Sequence, residues 1–153
     1  LHIIHELLCF EPSNTKTDIN AVIQYFVNAQ KRRSTVFLIS DLLDPKFVTK
    51  PTKRYAVNPL MIASNRHDMK VIQIYDRRET ELPDIGLLKL KDAETQKRMW
   101  VDTSVPSVRK NYAQSWEKNQ MALNDLFMRT GTDYVSIRSD EDYVKGLMRL
   151  FRL

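Results

Sequence analysis

Thr35-Val36-Phe37-Leu38-Ile39-Ser40-Asp41-Leu42-Leu43-Asp44 is the stretch of sequence from which the fold can be inferred. Its four consecutive apolar residues predict a short strand that is buried on both faces, as in a parallel sheet. Ligands of open α/β sheets bind outside the carboxyl ends of the strands, so Asp41 is a candidate ligand-binding residue. Alternatively, Asp41 and Asp44 only end the strand in water or cap the next element.

Further strands are predicted along the chain. Val71–Tyr75 is a second apolar run that ends in a carboxylate, Asp76, and Tyr134–Ile137 is a third. Residues 87–91 and 97–103 alternate apolar and polar side chains on either side of residues 92–96. This alternation predicts a β-hairpin with one face in water.

Amphipathic helices are predicted between these strands. The predicted helices cover residues 1–10, a segment capped by Thr17-Asp18, a segment opened by Asn58-Pro59, residues 107–129 ending at Gly131, and a last helix with Ser139 at its N-cap. Their predicted core residues include Ile19, Val22, Ile23, Phe26 and Val27, and in the last helix Val144, Leu147, Met148 and Phe151. Phe47–Tyr55 is predicted to be a loop. The alternation of helices and strands predicts one three-layer α/β domain over residues 1–153, with a mainly parallel sheet and a β-hairpin excursion. The order of these elements resembles the second half of a doubly wound domain.

Composition narrows the function classes. The chain has 153 residues, of which 42% are hydrophobic and 28% charged, and no apolar run approaches the roughly 18 residues of a membrane span. The net charge is +5, but the basic residues are scattered, which argues against nucleic-acid binding. The single cysteine, Cys9, excludes an internal disulfide and favours a cytoplasmic protein; its apolar surroundings predict a buried thiol.

Several enzyme classes lack their motifs. There is no phosphate-binding glycine loop and no G-x-S-x-G motif, and the chain has only three glycines. Cys9 and His5 make a poor nucleophile pair on an apolar helix, and the histidines lack the spacing of zinc ligands. The remaining pattern consists of oxygens, because Thr17 at a helix entry and Asp41 at a strand end could hold Mg²⁺ or Mn²⁺.

Nine short motifs together carry a family resemblance. They are Ile4-His5-Glu6-Leu7-Leu8, Thr17-Asp18-Ile19-Asn20-Ala21, residues 32–41, Asn65-Arg66-His67-Asp68, residues 71–78, residues 82–87, Asp92-Ala93-Glu94-Thr95, Trp100-Val101-Asp102-Thr103 and Asp140-Glu141-Asp142-Tyr143-Val144. With these motifs the chain resembles the C-terminal half of a bacterial family that has a von Willebrand factor A-like domain. That family is catalogued as domain-of-unknown-function family fifty-eight, and its genes often accompany MoxR-type AAA+ ATPases.

The resemblance implies a Rossmann-like domain with a metal-ion-dependent adhesion site built from three loops. Thr17 matches the threonine of the second loop and Asp41 the aspartate of the third. The first strand and its D-x-S-x-S loop are not in this chain, Leu42 stands where glycine often follows the aspartate, and Lys16 stands where glycine is frequent. We therefore expect an incomplete site that binds Mg²⁺ or Mn²⁺ weakly or not at all.

Two functions are consistent with these patterns. The resemblance favours a non-enzymatic protein-interaction module that works with a MoxR-type AAA+ ATPase in the assembly or maturation of other proteins. The alternative is a metal-dependent phosphoesterase or nuclease that uses the sheet-edge aspartates Asp41 and Asp76. Without a neighbouring first strand, the strand containing Val36 has an unpaired edge, which predicts homo-oligomers formed through strand pairing.

Overall fold

Seven helices and five strands make up the part of the protein that the structure, a computed structural model, describes: residues 2–11, 17–48, 58–91 and 98–151. The elements are α1 (His2–Cys9), α2 (Ile19–Ala29), β1 (Thr35–Ser40), α3 (Pro45–Val48), α4 (Pro59–Arg66), β2 (Asp68–Tyr75), α5 (Arg77–Thr80), β3 (Leu87–Lys91), β4 (Arg98–Asp102), α6 (Pro106–Thr130), β5 (Asp133–Arg138) and α7 (Tyr143–Leu150). The predicted alternation of helices and strands is confirmed, with α3 and α5 as additional short helices.

The strands form two sheets. β1, β2 and β5 lie in that order in a parallel sheet, in which Leu38 pairs with Val71 and Val71 with Tyr134. β3 and β4 form an antiparallel pair, in which Leu87 lies opposite Asp102. The predicted parallel sheet and antiparallel excursion are therefore confirmed, while the predicted turn at residues 92–96 lies outside the described residues.

One face of the parallel sheet, which we call the closed face, packs against α2, α4 and α6. Side chains alternate along each strand, so Val36 and Leu38 of β1 share this face with Met69 and Val71 of β2. The core on this face also contains Ile19, Ile23, Val27, Leu42, Phe47, Leu60, Ala63, Leu123, Leu126 and Phe127. Most of the buried apolar surface of the described protein therefore lies on this side of the sheet.

The opposite face, which we call the open face, carries only α7 among the described elements. Helix α7 packs on β5, where Leu150 joins Ile72, Val135 and Ile137 in a second, smaller cluster. At the end of α7 the Phe151 ring lies near the Phe37 ring of β1, with their centroids 5.9 Å apart, but Phe37 stays exposed and Ile39 is 61% exposed. The prediction that β1 is buried on both faces is thus wrong, because no described helix covers its second face.

Several helix ends fall where the capping residues predict them. Asp18 caps α2 by accepting a hydrogen bond from the Ala21 N–H (2.9 Å), and Asn58 caps α4. Gly131 ends α6 in the left-handed conformation, with φ of +63°. Val22, predicted to face the core, is exposed on α2.

The start of α7 differs from the prediction. Asp142, not Ser139, is the N-cap, and its carboxylate accepts a hydrogen bond from the Val144 N–H (3.0 Å). The Ser139 N–H instead donates to the Tyr75 carbonyl (2.9 Å), which prolongs the pairing of β5 with β2. The side of α7 that faces β5 carries the buried Gly146 and Leu150 and the partly buried Leu147, whereas Val144, Met148 and Phe151, predicted to be buried, are exposed.

Two further predictions are corrected at the chain's periphery. Cys9 is exposed, with its Sγ 3.6 Å from Nδ1 of His5. Ile3, Ile4 and Leu8 of α1 are also exposed, so they form no core around the thiol. Phe47, predicted to open a loop, lies in α3 and is fully buried, while residues 49–55 of that loop lie outside the described residues. No helix within the described ranges has the length and apolarity needed to span a membrane.

Candidate functional site at the carboxyl edge of the sheet

The carboxyl ends of the three parallel strands meet at one edge of the sheet. Asp41 follows β1, Asp76 follows β2, and Ser139 follows β5. The Ser139 hydroxyl lies 3.5 Å from Oδ2 of Asp76, so the last two strand ends are in contact. This edge is where open α/β sheets bind their ligands.

Asp41 lies in a constrained, exposed turn. Its Oδ1 accepts hydrogen bonds from the Leu43 N–H (3.2 Å) and the Ser40 hydroxyl (3.3 Å), an arrangement that orients the carboxylate. The next residue, Leu42, has φ of +57°, a left-handed conformation that costs a non-glycine residue about 1–2 kcal/mol. The Leu42 side chain is fully buried, and burial of a leucine contributes about 1.5–3 kcal/mol, which offsets that strain.

The conformation of Leu42 is one that glycine adopts without strain. The backbone takes a positive φ here although the residue is leucine. Burial of the Leu42 side chain therefore helps to hold the left-handed turn after Asp41.

A buried glutamine holds the Asp41 turn from below. Gln73 of β2 is 0% exposed, and its Nε2 donates to the Asp41 carbonyl (3.0 Å). Its Oε1 accepts from the hydroxyls of Ser136 (2.9 Å) and Tyr134, and the Tyr134 hydroxyl also lies 3.1 Å from Oε1 of Gln120. Burial raises the pKa of Tyr134, so its hydroxyl remains a donor at neutral pH.

Sequence reasoning did not identify this role of Gln73. The available signal was a single amide within the apolar run Val71–Tyr75. A polar side chain in a buried strand requires hydrogen-bond partners, and here those partners lie on β5, on α6 and in the Asp41 turn.

Asp44 ties the Asp41 turn to the start of α2. The buried Asp44 carboxylate accepts hydrogen bonds from the Ile19 N–H (3.0 Å) and the Lys46 N–H (2.9 Å). It therefore caps α3 and contacts the N-terminus of α2 at the same time. The alternative role of Asp44, capping of the next helix, is therefore confirmed.

Thr17 lies two residues before the backbone N–H that Asp44 binds. It is exposed and directly precedes Asp18, the N-cap of α2. Asp44 thus links the segments that carry the two predicted metal ligands, Thr17 and Asp41. Across residues 2–11, 17–48, 58–91 and 98–151, no group of three or more His, Cys, Asp or Glu side chains could hold a metal ion. The assignment of Thr17 and Asp41 as metal ligands stays a prediction.

Asp76 and Glu79 form the second acidic element of the edge. They make a capping box at α5, in which Asp76 Oδ1 accepts from the Arg78 N–H (2.7 Å) and Glu79 Oε1 accepts from the Asp76 N–H (3.2 Å). Burial raises the pKa of Glu79, and the negative charges of Asp41 and Asp76 raise it further, against the lowering effect of the Asp76 N–H. The charges of Asp41 and Asp76 therefore both reach the Glu79 carboxylate.

Comparison with known proteins identifies a family that matches most of the chain. The family model described as "Protein of unknown function DUF58" matches residues 1–122. Uncharacterized proteins of Mycobacterium bovis and Mycobacterium tuberculosis are 26% identical to the chain over 140 residues, which cover 90% of this chain and 41% of theirs. An uncharacterized protein of Mycobacterium avium is 25% identical over 143 residues, covering 92% of this chain and 78% of its own.

The matches cover most of this chain but differ in how much of each relative they cover. The chain spans 41% of the length of its Mycobacterium bovis and Mycobacterium tuberculosis relatives, and no solved structure matches it significantly. The family model, by contrast, covers well over half of the chain. The chain therefore belongs to the DUF58 family.

Proposed function

We propose that this chain is a non-enzymatic protein-interaction module whose docking surface is the carboxyl edge of its parallel sheet. The observation that carries the proposal is the Asp41 turn. The exposed Asp41 carboxylate accepts hydrogen bonds from the Leu43 N–H and the Ser40 hydroxyl. The backbone of the turn is held by Gln73, which binds the Asp41 carbonyl, and Asp44 ties the same segment to the start of α2. A surface carboxylate held by this many contacts is suited to binding, because its geometry is fixed before a partner arrives.

The finer proposal is a Rossmann-like domain of the von Willebrand A type that works with a MoxR-type AAA+ ATPase in protein assembly or maturation. It rests on the family resemblance together with the placement of Thr17 and Asp41 in linked segments. In this arrangement a further strand carrying the D-x-S-x-S loop would pair with β1, whose outer edge carries no strand among the described residues.

A hydroxyl and a carboxylate suit Mg²⁺ or Mn²⁺, because Mg²⁺ commonly takes one or two carboxylates and keeps several waters. Thr17 and Asp41 would therefore supply two of the oxygens, and water, the first loop and an acidic group of the partner would supply the others. The bound cation would bridge the module and the acidic group of its partner. The chain's own contribution is to hold Asp41 in place through Gln73 and Asp44.

A calorimetric titration with Mg²⁺ and Mn²⁺ tests the metal site. If Thr17 and Asp41 suffice for metal binding, the unchanged chain should show weak, saturable binding, which Asp41→Ala should remove and Asp102→Ala should leave unchanged. Asp102 is a suitable control because it is an exposed carboxylate at the end of β4. Absence of saturable heat in the unchanged chain would contradict metal binding by these two segments alone. Partner binding that is equal in chelator and in magnesium would contradict a cation bridge.

The alternative function, a metal-dependent phosphoesterase or nuclease, draws on the same edge. The observation in its favour is that Asp41 and Asp76 follow neighbouring strands at this edge and that the negative charges of both raise the pKa of Glu79. The Asp76 carboxylate is already engaged in capping α5. Hydrolysis of bis(4-nitrophenyl) phosphate that is lost in Asp41→Asn would favour this alternative over the interaction module.

A further inference from the structure

A groove of about 350 Å³ lies beside the carboxyl edge, between the segment after β1 and helices α5 and α6. Its apolar wall is formed by Leu43, Pro45 and Val48. The facing wall contains Glu79 from α5 and, from α6, Tyr112, Ser115, Trp116 and Asn119. The volume is near the lower end of the range of ligand pockets and suits one extended side chain rather than a cofactor.

The groove has a negative electrostatic character. Glu79 is its one ionisable carboxylate, and the charges of Asp41 and Asp76 act on the same carboxylate from the sheet edge. Oε1 of Glu79 accepts a hydrogen bond from the Asp76 N–H, whereas Oε2 is shielded from solvent and has no donor among the described residues. A buried acceptor without a donor carries a desolvation cost, which a cation in the groove would relieve once the Glu79 side chain turns Oε2 toward it.

The aromatic side chains of the groove are fixed in place. The Tyr112 hydroxyl donates to the Arg78 carbonyl (3.0 Å). The Trp116 ring packs on the Tyr75 ring, with their centroids 5.0 Å apart. Fixed aromatic rings next to a carboxylate attract cations, and apolar walls bind the aliphatic stem of a long cationic side chain.

We propose that this groove binds the arginine side chain of a protein partner. The guanidinium group pairs with the Glu79 carboxylate and contacts the aromatic wall, and the methylene stem packs on Leu43 and Val48. A guanidinium suits the site better than an ammonium because it is planar, stacks on aromatic rings and is weakly hydrated. The proposal rests on the proposed function only in that a protein partner carries the arginine.

The test uses N-acetyl-L-arginine methylamide as the probe and the whole chain in the presence of a chelator. Binding is followed by NMR through the indole N–H of Trp116, in a Trp100→Phe background that removes the other tryptophan. Trp100 is exposed on β4, outside the groove. N-acetyl-L-citrulline methylamide is the matched neutral probe, since it has the same length and shape without the charge.

We expect a saturable shift of the Trp116 signal with the arginine probe and about tenfold weaker binding of the citrulline probe, a difference of about 1.4 kcal/mol. Glu79→Gln should weaken arginine binding by a similar factor and keep the α5 capping box, because glutamine also serves at that position. Glu81→Gln should leave binding unchanged, since Glu81 pairs with Arg77 (2.6 Å) and does not line the groove.

Three results would overturn the proposal: no saturable shift, equal binding of the two probes, or arginine binding that is insensitive to Glu79→Gln. The comparison of the two probes uses only the Trp100→Phe chain, so it stays decisive even if the Glu79 variant folds poorly. Because the chelator removes divalent cations, failure here would leave the metal titration at Asp41 as a separate result.

Discussion

The two faces of the parallel sheet carry similar side chains but differ in how those side chains are covered. On the closed face, Leu38 and Val71 pack beneath three helices, and Val71 is 0% exposed. On the open face, Ile39 of β1 and Ile74 of β2 are exposed to solvent, and only Ile72 of β2, next to α7, is buried. The difference arises from the helices, because the strands alone supply apolar residues in both directions.

The two faces also differ in what they contribute to folding and to binding. Burial of apolar area is the main source of folding free energy, so the closed face and α6 hold the fold together. The open face leaves β-branched and aromatic side chains in water, and contiguous exposed apolar surface marks an interaction site or an uncovered interface. The carboxyl edge, where the proposed binding sites lie, is anchored on the closed face through Gln73.

The largest expected change in stability comes from truncating a buried side chain on the closed face, compared with an exposed one on the open face. Leu123 of α6 is fully buried on the closed face, so Leu123→Ala should lower the free energy of unfolding by about 2–5 kcal/mol. Ile39→Ala removes a side chain of the same size from the open face and should cost less than about 1 kcal/mol. Chemical denaturation of the two variants measures the contrast. Similar losses would mean that the open face is as well covered as the closed one.

A smaller effect is expected where α7 approaches β5. Gly146 packs so closely that an added Cβ would lie 2.8 Å from Cγ1 and 2.9 Å from Cδ1 of Ile137. Gly146→Ala should therefore destabilise the protein by about 1–3 kcal/mol, although alanine favours helices. The same denaturation experiment measures it, with Lys145→Ala as the control on an exposed position of the same helix.

A double variant sharpens this result. Ile137→Val shortens the side chain that the new Cβ would meet, so combining it with Gly146→Ala should recover part of the loss, a coupling between residues in contact. Additive losses in the double variant would show that α7 adjusts its position freely. In that case the small cluster on the open face would not fix the helix.

Much of the fold was predictable from local sequence signals. The apolar runs around Leu38 and Val71 predict strands, and Asp18, Asn58 and Gly131 mark helix ends by capping chemistry that acts within a few residues. The burial of β1 was not predictable, because a run of four apolar residues looks the same whether one face or both are covered. Coverage depends on where helices distant in sequence pack.

The candidate site divides in the same way. The positions of Asp41 at a strand end and of Thr17 at a helix entry were predictable from the sequence, and their role as metal ligands stays a prediction. The contacts that hold these segments were not predictable, because Gln73 reaches Asp41 from 32 residues away and Asp44 reaches Ile19 from 25 residues away. Such pairs leave no local pattern in the sequence. The prediction of Ser139 as the N-cap of α7 was wrong for a different reason, because both Ser139 and Asp142 lie near the helix start and either side chain could cap it.

The outer edge of β1 completes the comparison, since it borders the open face. The Ser34 carbonyl accepts from the Asp68 N–H (2.9 Å), so by alternation the backbone groups of Thr35, Phe37 and Ile39 point away from β2. No described strand pairs with them. Unpaired backbone groups beside exposed apolar side chains favour pairing with another strand, which predicts self-association of this chain.

Ile39→Lys should change the stability least and self-association most. The substituted position is exposed, so the free energy of unfolding should change by only about 0.5 kcal/mol, while a charge on an edge strand opposes pairing. Light scattering over a range of concentrations should show a rising average mass for the unchanged chain and a monomer for the variant. Met121→Lys adds the same charge at an exposed position of α6 and should leave association intact. A constant monomer mass for the unchanged chain, or equal effects of the two lysine substitutions, would show that the outer edge of β1 does not pair with another strand. The exposed apolar side chains of β1 would then belong to a surface that does not mediate self-association.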